Sequence, residues 1–158
     1  MKVERVGPLT LESVDKLSAD GLLLFVAQDE RPLQGLAGLV DWRLSGGVSR
    51  LLKKAWITGE VAEHVLTPGA TDVGVERILA IGLGPSDEVT ADSLEAAVAR
   101  AAGAATTAGV GSLVVGLPGV CKVHPEDAAV ALREGLADHY RGKVSFVGPT
   151  ELCRILEG

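Results

Sequence analysis

The chain has 158 residues, which is the usual size of one domain. Its hydrophobic fraction of 47% and charged fraction of 23% are typical of a globular protein and exclude an intrinsically disordered one. Its net charge of −6 argues against binding to nucleic acid or to an anionic membrane, because both attract basic surfaces.

The first half of the chain alternates between strand and helix patterns. Lys2–Val6 is a predicted strand, and Gly21–Ala27 is so apolar that it predicts a strand covered on both faces. Apolar residues at helical spacing predict a helix over Leu33–Leu44 and a second helical piece over Val48–Ala55. Val61–Thr67 has a weaker pattern and predicts an edge strand.

The second half begins with a predicted strand at Arg77–Gly82. A helix follows over Ala91–Ala108, where Asp92 and Glu95 suggest a capping box and Gly109 a left-handed C-terminal cap. Two charged loop segments, Asp29-Glu30-Arg31 and Ser86-Asp87-Glu88, are interpreted as solvated loop charges.

The remaining elements are strands at Ser112–Leu117 and Lys143–Val147 and helices at Pro125–Arg141 and Pro149–Leu156. Strands that alternate with helices favour a largely parallel sheet. We therefore predict an α/β fold of three layers, α/β/α, with a mostly parallel, mixed sheet and helices on both faces. The whole chain, 1–158, is predicted to be a single domain.

Glycine-containing loops follow several predicted strands. In open α/β sheets ligands bind beyond the carboxyl ends of strands, where free backbone N–H groups can hold an anion. This makes Gly82, Gly84, Gly116 and Gly119 candidate ligand-binding residues. The first loop lacks the third glycine of a dinucleotide fingerprint and the lysine of a P-loop, so tight structural turns are the favoured alternative.

The sequence gives little support for a metal site or a catalytic site. Cys121 and His124 are two possible ligands at close spacing, whereas a zinc site needs three or four. Serines near glycine do not form the nucleophile elbow of hydrolases. We predict no catalytic residue, no metal site and no cofactor.

The sequence shows no recognisable targeting signal or membrane-spanning segment. The amino terminus has no apolar run of signal-peptide length, and no segment approaches about 18 uninterrupted apolar residues. We expect a cytoplasmic protein with no membrane or nucleic-acid partner. Cys121 and Cys153 are accordingly expected to be reduced, buried thiols.

Five stretches resemble the amino-terminal domain of the two-metal leucyl aminopeptidases, the M17 family. They are DGLLLFV (20–26), DERPL (29–33), GLAGLVD (35–41), GGVSRLL (46–52) and VERILAIGLG (75–84). In that family a separate carboxy-terminal domain binds the two metals and includes an Asn-Thr-Asp-Ala-Glu-Gly-Arg-Leu segment. This chain contains no asparagine. The resemblance therefore implies a stand-alone, non-catalytic relative, onto which no catalytic or metal residue of the family can be placed.

The M17 amino-terminal domain in turn resembles a macro domain, the fold that binds ADP-ribose. By this resemblance Asp20 lies near the position of an adenine-contacting aspartate, with a turn or cap residue as the simpler alternative. The sequence after the strand, Gln28 to Pro32, departs from the macro-domain pattern, and its acidic residues would repel a pyrophosphate.

Three functions remain open from the sequence. The first is a module for self-association, giving a homo-oligomer, or for regulatory interaction with a protein partner. Trp42 and Trp56 are candidate contact residues for it, with a core position as the alternative for each. The second is a small-ligand domain of nucleotide or ADP-ribose type. The third is an aminopeptidase-associated protein that would be called a peptidase only because of its family.

Overall fold

The computed structural model describes residues 1–69, 72–118 and 121–158. Six strands form one sheet in the order β1-β6-β5-β2-β4-β3. The strands are β1 (Lys2–Pro8), β2 (Ala19–Val26), β3 (His64–Pro68), β4 (Val75–Gly82), β5 (Ser112–Gly116) and β6 (Lys143–Gly148). The helices are α1 (Leu11–Asp15), α2 (Gly35–Arg43), α3 (Gly47–Lys53), α4 (Ala91–Thr107), α5 (Pro125–Ala137) and α6 (Thr150–Glu157).

The sheet is mixed and mostly parallel, as predicted. β2 lies near its centre and pairs in parallel with β4 and β5, and β6 pairs in parallel with β5 and β1. Of the strands that the structure describes, only β3 runs antiparallel, on the side of β4 away from β2. The prediction of an edge strand at Val61–Thr67 is confirmed, since β3 lies at one edge of the sheet. β3 begins only at His64, because the residues before it form a separate loop.

Helices cover both faces of the sheet, which confirms the three-layer prediction. Alternation along β2 sends Leu22, Leu24 and Val26 into one core and Leu23 and Phe25 into the other. The first core packs against α2 and α3, and the second packs against α4, α5 and α6. Burial on both faces explains why the sequence of β2 contains an unbroken apolar run.

Helix α4 begins at Ala91, as predicted, but different residues form its amino-terminal cap. The predicted capping box of Asp92 and Glu95 is wrong: Thr90 Oγ1 accepts a hydrogen bond from the Ser93 N–H, and Ser93 Oγ accepts one from the Thr90 N–H. Serine replaces the usual glutamate in this reciprocal pair. The other end follows the prediction, since Gly109 has a φ of +72°, a left-handed conformation that glycine adopts without strain.

Two further local differences have simple causes. α1 (Leu11–Asp15) has only five residues, too few to show a periodic pattern. Its N-cap is Thr10, whose side chain accepts a hydrogen bond from the Ser13 N–H. α5 ends at Ala137, four residues before the predicted end, because the chain turns there to bury Tyr140. The Tyr140 hydroxyl donates to the Val110 carbonyl at 2.8 Å.

Two further expectations concern the state of the cysteines and the presence of membrane-spanning helices. Both cysteines are free thiols; Cys153 is buried and Cys121 half-buried. Burial raises the pKa of both thiols. Among the residues that the structure describes, no helix combines the length and apolar character needed to cross a bilayer.

Candidate functional site

The predicted ligand residues do not all lie at one place. Gly82 ends β4 and Gly116 ends β5, and Val26 at the end of β2 pairs with Gly82, so these residues share the carboxyl edge of the sheet. Gly84 follows two residues after Gly82. Asp20 is near the start of β2, at the opposite edge. Gly119 lies outside the described residues.

Asp20 joins the starts of two neighbouring strands. Its Oδ2 accepts hydrogen bonds from the N–H groups of Gly111 at 3.0 Å and Ser112 at 3.2 Å. Its own N–H donates to Ser112 Oγ at 2.9 Å. Asp20 also lines a shallow cavity of about 520 Å³ at this amino-terminal edge. The structure therefore separates Asp20 from the glycine loops and gives its carboxylate structural partners.

The loop of residues 58–63, which we call the covering loop, closes over Gly82 and Gly84. The Gly82 N–H donates to the Glu63 carbonyl at 2.9 Å, and the Gly84 N–H donates to the Gly59 carbonyl at 2.7 Å. A Cβ on Gly82 would lie 1.9 Å from the Glu60 carbonyl oxygen, so only glycine fits beneath the loop. The backbone donors that an anion would need are thus already bonded.

Glu63 fixes the covering loop from within. Its carboxylate accepts hydrogen bonds from the Thr58 N–H at 2.8 Å, the Thr58 hydroxyl at 2.6 Å and the Gly59 N–H at 3.0 Å. Partial burial acts to raise the pKa of Glu63, but these three bonds outweigh it and hold the pKa below its ordinary value. The charged carboxylate is therefore the form that stabilises the loop.

Replacing Glu63 with alanine is expected to lower the free energy of unfolding by about 1–3 kcal/mol, because the Thr58 and Gly59 donors lose a charged acceptor. Since the folded pKa is lowered, this stabilisation is complete above the unfolded pKa of about 4.3 and is lost as the pH falls below it. Urea unfolding of both proteins from about pH 7 to about pH 3 measures the effect. The wild type should lose its advantage over the variant at low pH.

Glu60→Ala is the matched control for this prediction. Glu60 is an exposed glutamate in the same loop, so its removal should change stability by no more than about 0.5 kcal/mol. Equal stabilities for the two variants at neutral pH would contradict the assigned role of Glu63.

Leu36 occupies the space above Gly116. This α2 side chain is 1% exposed, and a Cβ on Gly116 would lie 2.5 Å from Leu36 Cδ2. The glycine therefore permits close packing of α2 on the end of β5. Leu36 therefore packs on the face of the sheet at the carboxyl end of β5.

Of the two carboxylates at this edge, Glu30 is not the solvated charge that the sequence predicts, whereas Asp29 is exposed as predicted. Glu30 is 2% exposed and accepts hydrogen bonds from the N–H groups of Gln34 at 3.0 Å and Ala27 at 3.5 Å. Burial raises the pKa of Glu30. Asp29 accepts from the Ser86 N–H and hydroxyl, at 2.8 and 2.6 Å, which lowers the pKa of Asp29. An acidic residue that follows a buried strand directly is the signal that would have suggested such loop anchors.

Cavities in the described part of the chain lie away from the glycine turns. One of about 750 Å³ runs along β1 and α1, and its charged residues include both signs, with Lys16 already paired to Glu12 at 2.8 Å. A third, about 240 Å³, lies between α3 and β3. Gly82, Gly84 and Gly116 line none of these three cavities. Within residues 1–69, 72–118 and 121–158, no three His, Cys, Asp or Glu side chains are grouped to hold a metal ion.

The two tryptophans are on the surface. Trp42 on α2 is 72% exposed, and Trp56, just after α3, is 65% exposed. The core position considered for each is therefore wrong. Lys54 Nζ lies 5.4 Å from the centre of the Trp56 ring, within range of a cation–π contact.

Comparison with known proteins identifies relatives for most of the chain. Residues 22–140 match the N-terminal domain of the cytosol aminopeptidase family. A "Probable cytosol aminopeptidase" of Pseudomonas syringae is 32% identical over 99 residues, covering 63% of this chain and 18% of the relative. One from Geobacter sulfurreducens is 31% identical over 142 residues, covering 85% of this chain and 29% of the relative. The chain thus spans less than a third of the length of either relative.

Solved structures show the same fold at lower identity. A tomato leucine aminopeptidase mutant superposes with a TM-score of 0.66 and 17% identity, covering 99% of this chain and 36% of that one. A macrodomain mutant of Oceanobacillus iheyensis gives a TM-score of 0.71 and 15% identity, covering 91% of this chain and 81% of that one. The fold is therefore macrodomain-like. Taken with the sequence match, this shows that the chain belongs to the cytosol aminopeptidase family, as a representative of its N-terminal domain.

Proposed function

We propose that residues 1–158 act as one non-catalytic module for protein association in the cytoplasm, either with a further copy or with a regulatory protein partner. The observation that carries this proposal is the exposure of Trp42 and Trp56, the two tryptophans of the chain. Tryptophan on a protein surface is enriched at interfaces and in their energetic centres. The covering loop supports the same choice, because it already occupies the N–H groups of Gly82 and Gly84.

The family relationship supports a non-catalytic role for these residues. The matched region is the N-terminal domain of the family, and the asparagine-containing metal-binding segment has no counterpart in a chain without asparagine. The names of the relatives, cytosol aminopeptidases, support a cytoplasmic location.

The double variant Trp42→Ala/Trp56→Ala is expected to abolish association while changing stability by no more than about 0.5 kcal/mol, because both side chains are mostly exposed. Sedimentation velocity over a range of concentrations measures self-association. Affinity capture with wild-type and variant baits measures binding of a partner. Val130→Ala is the control, since Val130 is 51% exposed on α5. A wild-type chain that stays monomeric, and that retains no protein the double variant loses, would refute the proposal.

A nucleotide-binding role is the second candidate, favoured by one observation. A macrodomain of Oceanobacillus iheyensis described as "with ADP" shares the fold, with a TM-score of 0.68 and 16% identity, over 91% of this chain and 84% of that one. Open α/β sheets bind ligands beyond the carboxyl ends of their strands. In this chain Leu36 and the covering loop pack at those ends, and Asp29 and Glu30 add carboxylates there.

We therefore expect ADP and ADP-ribose to leave the melting temperature unchanged. A ligand present at about 100 times its Kd would add about 2.7 kcal/mol to the free energy of unfolding, which is easily detected by thermal shift. A clear rise in melting temperature with ADP-ribose, and none with ribose alone, would favour the nucleotide role instead.

A further inference from the structure

The segment of residues 42–59 differs in charge from the rest of the molecule. It contains four basic residues, Arg43, Arg50, Lys53 and Lys54, and no acidic residue. The remaining residues carry 11 of the 15 Lys and Arg and all 21 Asp and Glu, a net charge of −10. Arg43 is paired with Asp15 at 2.6 Å, and the other three basic residues belong to α3 and its C-cap.

An apolar groove lies against this basic surface. It has a volume of about 240 Å³ and runs between α3 and β3, next to the sheet. Its apolar lining includes Leu24, Ile78 and Ala80 from the sheet, Val48 and Leu51 from α3, and Pro68 from β3. This volume is below the range of about 300–1,000 Å³ of small-molecule pockets, so it suits a single apolar side chain better than a cofactor.

One positive group lines this groove, and two more neighbour it on α3 and at its C-cap. Arg50 lines it, and its Nη1 donates to the Ser45 carbonyl at 2.8 Å, which fixes the direction of the side chain. Lys53 and Lys54 follow at positions i+3 and i+4 from Arg50, the spacing that brings helical side chains together on one face. Lys54 also contacts Trp56, so an aromatic ring borders the same positive surface.

We propose that this groove is the docking site for an acidic segment of a different protein, which seats one apolar side chain against Leu51 and places carboxylates near Arg50, Lys53 and Lys54. This proposal rests on the proposed function and names the chemistry of the partner. Charge complementarity selects the partner: an acidic chain is attracted to a surface of net positive charge, and its apolar residue loses contact with water in the groove.

A second copy and a nucleic acid fit this surface less well. Most homodimers are two-fold symmetric, and a two-fold contact here would bring the same cations of both copies face to face. A nucleic acid presents a charge at every phosphate but no aliphatic side chain to fill the groove. The combination of an apolar seat and neighbouring basic residues matches an acidic polypeptide.

The test uses fluorescent peptides of about 12 residues with Asp and Glu throughout and one central leucine. Matched peptides carry serine for the leucine or lysine for every acidic residue, and an oligothymidylate of similar length is the nucleic-acid probe. Fluorescence polarisation should show that the leucine peptide binds at least about tenfold more tightly than the serine peptide. Binding should weaken severalfold between about 50 and about 300 mM NaCl, because salt screens exposed charges.

Two protein variants and one spectrum locate the interaction. Lys53→Glu/Lys54→Glu should weaken binding of the leucine peptide by about tenfold or more. Arg100→Glu/Arg141→Glu reverses two exposed charges elsewhere and should change the Kd less than about twofold. Methyl NMR signals of Leu51, Ile57 and Ile78, all lining the groove, should shift on addition of the leucine peptide and not of the serine peptide.

This inference would be overturned if the leucine and serine peptides bound with equal affinity, or if binding of the leucine peptide did not saturate below about 1 mM. It would also be overturned if Lys53→Glu/Lys54→Glu left the Kd of the leucine peptide unchanged. Tighter binding of oligothymidylate through the same lysines would replace the acidic segment with a nucleic acid, and a homodimer that Lys53→Glu/Lys54→Glu disrupts would replace it with a second copy. Association lost in Trp42→Ala/Trp56→Ala together with a failed peptide test would leave the proposed function standing and remove only the docking site.

Discussion

The Gly82→Ala variant is expected to lose about 3 kcal/mol of unfolding free energy or more. The added methyl group would lie 1.9 Å from the Glu60 carbonyl oxygen and 2.8 Å from the Gly59 carbonyl carbon, so the backbone of the covering loop must move. That movement breaks the bond between the Gly82 N–H and the Glu63 carbonyl. Urea denaturation followed by circular dichroism measures the change.

Gly103→Ala is the control for this prediction and should have the opposite sign. Gly103 lies in the middle of α4, and a Cβ added there meets no atom within 4 Å. Alanine in an exposed helix interior is more favourable than glycine by about 0.8–1.0 kcal/mol. If both variants changed stability equally, the destabilisation at Gly82 could not be assigned to contact with the covering loop.

The Leu36→Ala variant is expected to lose about 2–5 kcal/mol of unfolding free energy. Leu36 is fully buried between α2 and the ends of the strands, and its removal leaves a cavity above Gly116 that the rigid sheet cannot fill. Thermal and urea unfolding at neutral pH measure the loss.

Leu39→Ala provides the comparison within the same helix. Leu39 is half-buried on α2, so its truncation should cost clearly less than that of Leu36. A loss below about 1 kcal/mol for Leu36→Ala would mean that the side chain does not pack on Gly116 as tightly as the structure shows.

Patterns that depend on neighbouring residues were predicted well from the sequence. Gly21–Ala27 is apolar because both faces of β2 are covered, and that burial is visible in composition alone. The mixed sheet and the left-handed Gly109 follow from equally local signals. The family resemblance added the macrodomain-like arrangement, which no single segment contains.

Features that depend on contacts distant in sequence were missed. Whether Glu30 is buried depends on the donors that the β2–α2 loop turns towards it, and the sequence places it among ordinary polar loop residues. The role of Gly116 depends on Leu36, which lies 80 residues earlier in the chain and on another element. Glycine after a strand predicts a close approach, but not whether a ligand or a side chain makes it.

Leu36 and the covering loop both pack at the carboxyl ends of the strands, and this arrangement has an evolutionary consequence. A mutational route to an open nucleotide site must displace both Leu36 and the covering loop, since either one alone keeps part of the edge closed. Truncating Leu36 costs about 2–5 kcal/mol and releasing Glu63 about 1–3 kcal/mol, against a total stability of about 5–15 kcal/mol for a typical domain. Descendants of this sequence would need compensating mutations elsewhere before they could open this edge and remain folded.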